Sequence, residues 1–150
     1  MTHAEDATWM ERAIELSRKC PPAKGAFSVG AIIVSADGEE LAHGYSRETD
    51  AHVHAEESAL AKLPPDDPRL VGATLYSTLE PCSERKSRPL TCTQLILRSP
   101  IRRVVIAWRE PSLLVADCVG VETLRAKDIE VVEISELSNQ ARSVNAHLLM

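Results

Sequence analysis

Apolar residues recur at helical spacing near the start of the chain and then give way to shorter apolar runs. The helical positions are Trp9, Ala13, Leu16 and Cys20. This pattern predicts an amphipathic first helix, which the following Pro-Pro pair ends. Residues 28–35 then form a β-branched apolar run and residues 40–46 alternate. The Asp-Gly stretch between these two runs predicts a hairpin turn.

The rest of the chain alternates between segments that favour strand and segments that favour helix. Further strands are predicted at residues 73–79, 103–108 and 130–134, and further helices at 54–63, 91–98, 119–127 and 138–149. This order predicts a three-layer α/β/α sandwich around a mixed sheet of about five strands, as a single domain over residues 1–150. Sheets of this kind bind ligands at the carboxyl ends of their strands.

The composition is that of a folded, water-soluble domain, with 44% hydrophobic and 26% charged residues. No apolar run approaches the roughly 18–20 residues that a membrane span requires. The first residues are acidic and polar, without the pattern of a secretion signal. We therefore expect a cytoplasmic protein without membrane contact, in which the four cysteines are thiols or metal ligands rather than disulfides.

Charge and aromatic content bear on the class of partner. The net charge is −5 and only 3% of the residues are aromatic. Proteins that bind nucleic acid need clustered cations for the phosphates, and those that bind single strands also need aromatic side chains for stacking. The sequence therefore predicts a small-molecule partner and no nucleic acid.

Two short motifs together predict a metal site. The first is His54-Ala55-Glu56, and the second is Pro81-Cys82, followed ten positions later by Cys92. Catalytic zinc takes three protein ligands and leaves one position for water. His54, Cys82 and Cys92 supply these ligands, and Glu56 remains as a general acid and base. A His-x-Glu motif followed by Pro-Cys is the signature of zinc deaminases.

Each residue of these motifs also has an ordinary structural interpretation. An acidic residue in the first turn of a helix is favoured by the helix dipole, and a buried cysteine often acts as a small apolar residue. Zinc is favoured by the order and spacing of the whole set. Cys20 and Cys118 lack a partner at such spacing and are interpreted as structural. His52 is interpreted as a loop residue rather than a ligand.

The motifs resemble those of the cytidine deaminase-like superfamily, and most of all the pyrimidine deaminases of riboflavin biosynthesis. The resemblance extends from about Trp9 to Val132 and rests on the segments 28–34 (SVGAIIV), 54–56 (HAE), 78–83 (TLEPCS), 88–92 (RPLTC) and 101–107 (IRRVVIA). It implies a cytidine deaminase-like fold, a riboflavin-precursor-type aminopyrimidine nucleotide as substrate, and a homodimer. The chain stops at Met150, so we expect a stand-alone deaminase domain without the reductase of fused bacterial forms.

The substrate pocket is where the chain departs from the family pattern. The resemblance places Ala26 and Ser28 beside the substrate, but bacterial forms have an Asn-Pro pair where this chain has Ala26-Phe27. Arg85, Lys86 and Arg88 lie between the two cysteines, and we expect Arg88 to bind a substrate phosphate through paired hydrogen bonds. A helix is expected to begin near Cys82 and to favour its thiolate.

The expected reaction replaces an exocyclic amine by oxygen and releases ammonia, with Glu56 moving the protons. Other readings stay open at this point. One is a deaminase of a different substrate, such as cytidine, guanine or a base of secondary metabolism. Another is a non-catalytic protein with a structural zinc, which would need a fourth Cys or His ligand. A third is an enzyme that edits tRNA, against which the acidic charge argues.

Overall fold

The computed structural model describes residues 2–111 and 118–149, and its centre is a five-stranded sheet. The strands are β1 (Gly30–Val34), β2 (Glu40–Tyr45), β3 (Thr74–Leu79), β4 (Arg103–Trp108) and β5 (Glu130–Glu133). Their order across the sheet is β2-β1-β3-β4-β5. Strand β1 is antiparallel to β2 and β3, whereas β3, β4 and β5 are parallel. The predicted mixed sheet is therefore confirmed.

Helices cover both faces of this sheet. They are α1 (His3–Ser17), α2 (Ala55–Ala61), α3 (Cys92–Leu97), α4 (Gly120–Ala126) and α5 (Ser138–Ser143), with 3₁₀ turns at Pro68–Leu70, Ser135–Leu137 and Ala146–Leu148. Helices α1 and α5 pack on one face, and α2, α3 and α4 form the layer on the other. The three-layer α/β/α sandwich is confirmed. Among the described helices, none has both the length and the apolar character needed to cross a bilayer.

Burial of the strands follows from this coverage. Every residue of β1 and β3 is buried, because both strands lie inside the sheet with helices on each side. Strand β2 lies at an edge and alternates between buried and partly exposed positions. One cluster of buried apolar residues joins all these layers, including Ile32, Leu75 and Ile106.

The helices differ from the prediction at several points. Helix α1 starts at His3, because the side chain of Thr2 accepts a hydrogen bond from the amide of Glu5 and caps the helix. Helix α5 ends at Ser143, and the chain continues as a 3₁₀ turn. The expected helix near Cys82 was wrong, because residues 80–91 form a loop and α3 begins only at Cys92.

A glycine lets α2 lie directly against the sheet. A Cβ atom on Gly44 would come within 2.6 Å of the carbonyl oxygen of Ala55 and of the backbone nitrogen of Ala59. Only glycine permits such a close approach of a strand to a helix backbone. This contact fixes the start of α2, where the His-x-Glu motif lies, relative to β2.

A buried carboxylate, that of Asp6, ties α1 to strands β3 and β4. Asp6 is 3% exposed. Its Oδ1 accepts hydrogen bonds from the Tyr76 hydroxyl at 2.6 Å and from Arg103 Nη1 at 2.9 Å, and its Oδ2 accepts one from Arg103 Nη2 at 2.6 Å. Burial raises the pKa of Asp6, but the hydrogen bonds from Arg103 and Tyr76 outweigh burial and lower the pKa below its ordinary value.

We expect Asp6→Asn to lower the free energy of unfolding at pH 7 by about 3 kcal/mol, because Arg103 loses its carboxylate partner in a largely buried site. The lowered pKa means that Asp6 stabilises the fold above the unfolded-state pKa of about 3.9, and that this contribution is lost as the pH falls through the lower folded-state pKa. Urea unfolding across this pH range measures the difference. The exposed Asp66→Asn change is the control, and a difference between Asp6→Asn and wild type that is independent of pH would contradict this account.

Candidate metal centre

Three sulfur and nitrogen atoms from three separate elements meet beside the sheet. His54 is the residue that precedes α2, Cys82 follows β3, and Cys92 is the first residue of α3. The His54 Nδ1 atom lies 3.6 Å from Cys82 Sγ and 3.3 Å from Cys92 Sγ. Within the described residues, this is the group of His, Cys, Asp and Glu side chains that could hold a metal ion.

The spacing of these atoms suits tetrahedral coordination. Zinc bonds of about 2.3 Å to sulfur and about 2.0–2.1 Å to nitrogen place neighbouring ligand atoms about 3.5–3.8 Å apart. The distances from His54 Nδ1 to the two sulfur atoms fall at or just below this range. The donor set of one imidazole and two thiols also favours zinc, because magnesium and calcium bind oxygen ligands. The residues present therefore fit zinc.

The loop between the two cysteines is held in place by its own hydrogen bonds. Cys82 accepts two hydrogen bonds from the start of α3. The amide of Cys92 donates to Cys82 Sγ at 3.3 Å, and the amide of Thr93 donates to the Cys82 carbonyl at 3.2 Å. Arg85 Nη2 donates to Glu57 Oε1 at 2.7 Å and to the His52 carbonyl at 2.7 Å. The buried Arg85 side chain thus fastens the loop to the start of α2.

The surroundings of Cys82 favour its thiolate. The side chain of Cys92 lowers the pKa of Cys82 by hydrogen bonding, against the opposing effect of burial, and His54 and the Cys92 amide lower it further. A helix amide therefore does stabilise the Cys82 sulfur, although the helix begins at Cys92 rather than near Cys82 as expected. The pair of buried sulfur atoms is suited to a cationic partner.

Glu56 lies beside the three ligands but is not one of them. It occupies the first turn of α2, is 4% exposed, and lines the cavity that adjoins the cluster. Burial raises the pKa of Glu56 to about 7, and the neighbouring charges act in opposite directions, with His54 lowering the pKa and Cys82 raising it. The carboxyl group thus shares the cavity wall with two of the metal-binding residues, His54 and Cys82.

The cavity itself has a volume of about 320 Å³, at the lower end of the range for small-molecule sites. His54, Glu56 and Cys82 form part of its wall at the carboxyl end of β3. The loop 21–28 contributes Gly25, Ala26 and Phe27, and the loop between the cysteines contributes Arg85 and Lys86. A small molecule that reaches the ligand cluster would enter through this cavity.

The predicted substrate residues lie in different surroundings. Ala26 lines the cavity. Ser28 lies just behind it, where its hydroxyl accepts a hydrogen bond from Arg47. Arg88 is outside the cavity lining, and its guanidinium donates to Asp50 Oδ2 at 2.5 Å and lies 3.7 Å from Glu57 Oε2.

Lys86 differs from the two arginines of the same loop. It is exposed and lines the cavity, and no hydrogen bond or ion pair joins it to any of the described residues. Arg85 is committed to Glu57, and Arg88 to Asp50. Lys86 is therefore the cation of this loop that is available to a ligand.

Two acidic residues near the site were missed by the sequence analysis. Glu110 follows β4 and lines the cavity, and burial raises its pKa to about 7, with the charge at Cys82 raising it further. Glu80 is buried, and its two carboxylate oxygens accept hydrogen bonds from the amides of Glu110, at 3.0 Å, and Val121, at 2.9 Å. The position of Glu110 at the carboxyl end of a parallel strand is the signal that could have identified it.

The remaining cysteines and His52 stand apart from the ligand cluster. Cys20 Sγ donates to the Val29 carbonyl at 3.5 Å, and Cys118 Sγ donates to the Pro81 carbonyl at 3.5 Å. His52 lines the cavity but is outside the group of possible ligands. Among the described residues, no fourth Cys or His therefore closes the coordination sphere.

The family model of the cytidine and deoxycytidylate deaminase zinc-binding region matches residues 3–108. The chain is 42% identical over 127 residues to a diaminohydroxyphosphoribosylamino-pyrimidine deaminase of Schizosaccharomyces pombe, which covers 83% of this chain and 31% of that protein. It is 38% identical over 144 residues to a riboflavin biosynthesis protein RibD of Aquifex aeolicus, covering 93% and 37% of the two chains. The chain thus spans about a third of the length of these curated relatives.

A solved structure supports the same relationship. The crystal structure of a diaminohydroxyphosphoribosylaminopyrimidine deaminase/5-amino-6-(5-phosphoribosylamino)uracil reductase from Thermotoga maritima is similar with a TM-score of 0.77 and 36% identity, covering 95% of this chain and 39% of that one. The family match spans most of the chain and includes both metal-binding motifs. This chain belongs to the cytidine and deoxycytidylate deaminase family defined by that zinc-binding region, and its sequence is similar to the deaminases of riboflavin biosynthesis.

Proposed function

We propose that the protein is a zinc-dependent hydrolytic deaminase whose substrate is a phosphorylated aminopyrimidine of riboflavin synthesis. The observation on which the proposal rests is the placement of Glu56 on the wall of a small-molecule cavity, directly beside the cluster of His54, Cys82 and Cys92. A structural zinc would need a fourth protein ligand, whereas this arrangement leaves one side of the cluster facing the cavity. The names of the relatives support the choice of substrate.

In this proposal His54, Cys82 and Cys92 hold the zinc, and Glu56 moves the protons. Bound zinc supplies a Lewis acid that lowers the pKa of water. Glu56 accepts one proton from the attacking water and delivers it to the ring nitrogen, then takes the proton that remains on the added oxygen and passes it to the leaving amine. The carbon–nitrogen bond breaks, the water oxygen stays on the ring carbon, and ammonia leaves. Burial of Glu56 limits exchange of these protons with solvent.

We expect Glu56→Gln to keep the fold and the bound zinc but to lower kcat by about 10²–10⁴-fold, because an amide cannot accept and return protons. Ammonia release under saturating substrate measures the loss, and metal analysis verifies that the zinc is retained. Glu11→Gln, on the exposed face of α1, is the matched control. Activity of the Glu56→Gln enzyme within a few-fold of wild type would remove Glu56 from the mechanism.

The proposal assigns the substrate phosphate to Lys86 rather than to Arg88, which the sequence had favoured. Lys86 faces the cavity without a partner among the described residues, whereas Arg88 is paired with Asp50 outside the cavity lining. A free ammonium can bind a phosphate without first breaking an ion pair. An Aspergillus oryzae Rib2 deaminase, whose crystal structure is a complex with DARIPP, is similar to this chain. The identity is 25% and the TM-score 0.72, covering 96% of this chain and 98% of that one.

We expect Lys86→Ala to raise KM for the phosphorylated pyrimidine by about tenfold or more, because a charge-assisted hydrogen bond to the phosphate is lost. KM for the dephosphorylated pyrimidine should stay the same. Steady-state kinetics on both substrates measures this, with Lys127→Ala on the distant end of α4 as the control. If Arg88→Ala abolishes the preference for the phosphate and Lys86→Ala does not, the phosphate site belongs to Arg88.

The proposal also includes a homodimer in the cytoplasm and a single catalytic domain over residues 1–150. Two-fold dimers are the commonest soluble assembly, and the resemblance to riboflavin deaminases supports one here. Light scattering distinguishes such a dimer from a monomer of 16.4 kDa. A different aminated ring as the substrate remains the alternative, and the same kinetic assay with cytidine and guanine would reveal it.

A further inference from the structure

The C-terminal part of the chain contacts the wall of the cavity, although it lies beyond the residues that the family model matches. This C-terminal segment comprises residues 138–149, with α5 and the last 3₁₀ turn. The cavity wall that it contacts is the loop of residues 21–28, of which Gly25, Ala26 and Phe27 line the cavity. None of the metal ligands belongs to either segment.

The main contact is made by one buried side chain, that of Asn145, which is 1% exposed. Its Oδ1 accepts a hydrogen bond from the backbone amide of Ser28 at 2.6 Å, and its Nδ2 donates to the backbone carbonyl of Ser28 at 3.0 Å. A single carboxamide thus satisfies both peptide groups of Ser28, as a neighbouring strand would. Ser28 is itself buried, so these groups have little access to water.

Further contacts fasten the same loop. His147 Nε2 lies 3.1 Å from the Ala23 carbonyl. The guanidinium of Arg142 lies over the ring of Trp108 at 5.3 Å, and Trp108 packs edge-to-face against Phe27 at 5.7 Å. The C-terminal segment therefore contacts the loop directly at Ala23 and Ser28, and acts on Phe27 through Trp108.

Arg47 holds the loop from its other side. Its guanidinium donates to the carbonyls of Pro21 and Phe27 at 3.0 and 3.2 Å, and to the Ser28 hydroxyl at 2.8 Å. None of these acceptors is the Ser28 carbonyl, and a guanidinium has no acceptor atom to offer the Ser28 amide. Arg47 consequently cannot replace Asn145 at these two groups.

We infer that Asn145 is a positioning residue that fixes the loop 21–28 as the substrate-facing wall of the cavity. Without its carboxamide, a buried amide and a buried carbonyl lose their partners, and the loop must move to reach water. Ala26 and Phe27 would move with it, because they directly precede Ser28. The consequence for substrate binding rests on the proposed function, whereas the effect on the loop does not.

Asn145 acts on binding rather than on proton transfer. Glu56 lies on α2, and the metal ligands lie directly before α2, after β3 and at the start of α3; Asn145 forms no hydrogen bond to any of these segments. Displacement of the loop should therefore weaken the binding of the substrate and leave the reacting groups in place. This separates Asn145 from a residue that supports the fold as a whole.

The test is hydrogen exchange measured by mass spectrometry on zinc-loaded wild type, Asn145→Ala and Asn139→Ala. Asn139 is an exposed residue of α5 and provides the matched control. In Asn145→Ala we expect exchange in peptides covering residues 21–28 to accelerate by about tenfold or more, because two buried hydrogen bonds are lost. Peptides covering α2 and β3 should exchange as in wild type, and Asn139→Ala should match wild type throughout.

Kinetics supply the second measurement. Asn145→Ala should raise KM by about tenfold and change kcat by less than threefold. Asn145→Asp, which keeps the acceptor for the Ser28 amide but loses the donor to the carbonyl, should fall between wild type and Asn145→Ala in both measurements. If Asn145→Ala does not fold, the same comparison is made with Asn145→Asp, for which faster exchange confined to residues 21–28 supports the inference.

Two results would overturn the inference. One is unchanged exchange in residues 21–28, and the other is faster exchange spread over the whole chain together with equal losses in kcat and 1/KM, which would indicate a general stabilising role. If the wild-type protein deaminates none of the substrates, the proposed function fails. The exchange experiment still decides whether Asn145 holds the loop.

Discussion

The site depends on the loop of residues 80–91, which brings the start of α3 against the residues that follow β3. The amides of Cys92 and Thr93 both donate to Cys82, so the two thiols are held together by backbone hydrogen bonds as well as by their own contact. The close packing of α2 on Gly44 then sets His54 against both sulfur atoms. The ligand geometry is consequently a property of three backbone segments rather than of flexible side chains.

The cavity walls are attached to this centre in a different way. Arg85 fastens the loop between the cysteines to Glu57, Arg47 and Asn145 fasten the loop 21–28, and Glu80 holds Glu110 beyond the end of β4. Each of these contacts joins a side chain to a backbone group or, for Arg85, to a charge on α2. The metal-binding segments can thus be common to a family while the walls vary with the substrate.

The sequence predicted the parts of the molecule that local patterns determine. The five strands follow from short apolar runs, and the ligand cluster from the types and order of the residues in two motifs. The parts that depend on distant residues were not predictable. The pairing of Arg88 with Asp50 is one of these, because nothing in the sequence near Arg88 indicates it. Asn145 gave no signal at all, since its partner Ser28 lies 117 positions away.

X-ray absorption at the zinc edge, combined with metal analysis, tests the central claim most directly. The account predicts about one zinc per chain, with two sulfur neighbours at about 2.3 Å and two lighter neighbours at about 2.0–2.1 Å, and loss of most of the metal in Cys92→Ala. Cys118→Ala should retain both the metal and the spectrum. Three or more sulfur neighbours, or full zinc content in Cys92→Ala, would contradict the open three-ligand centre on which the proposed deaminase activity rests.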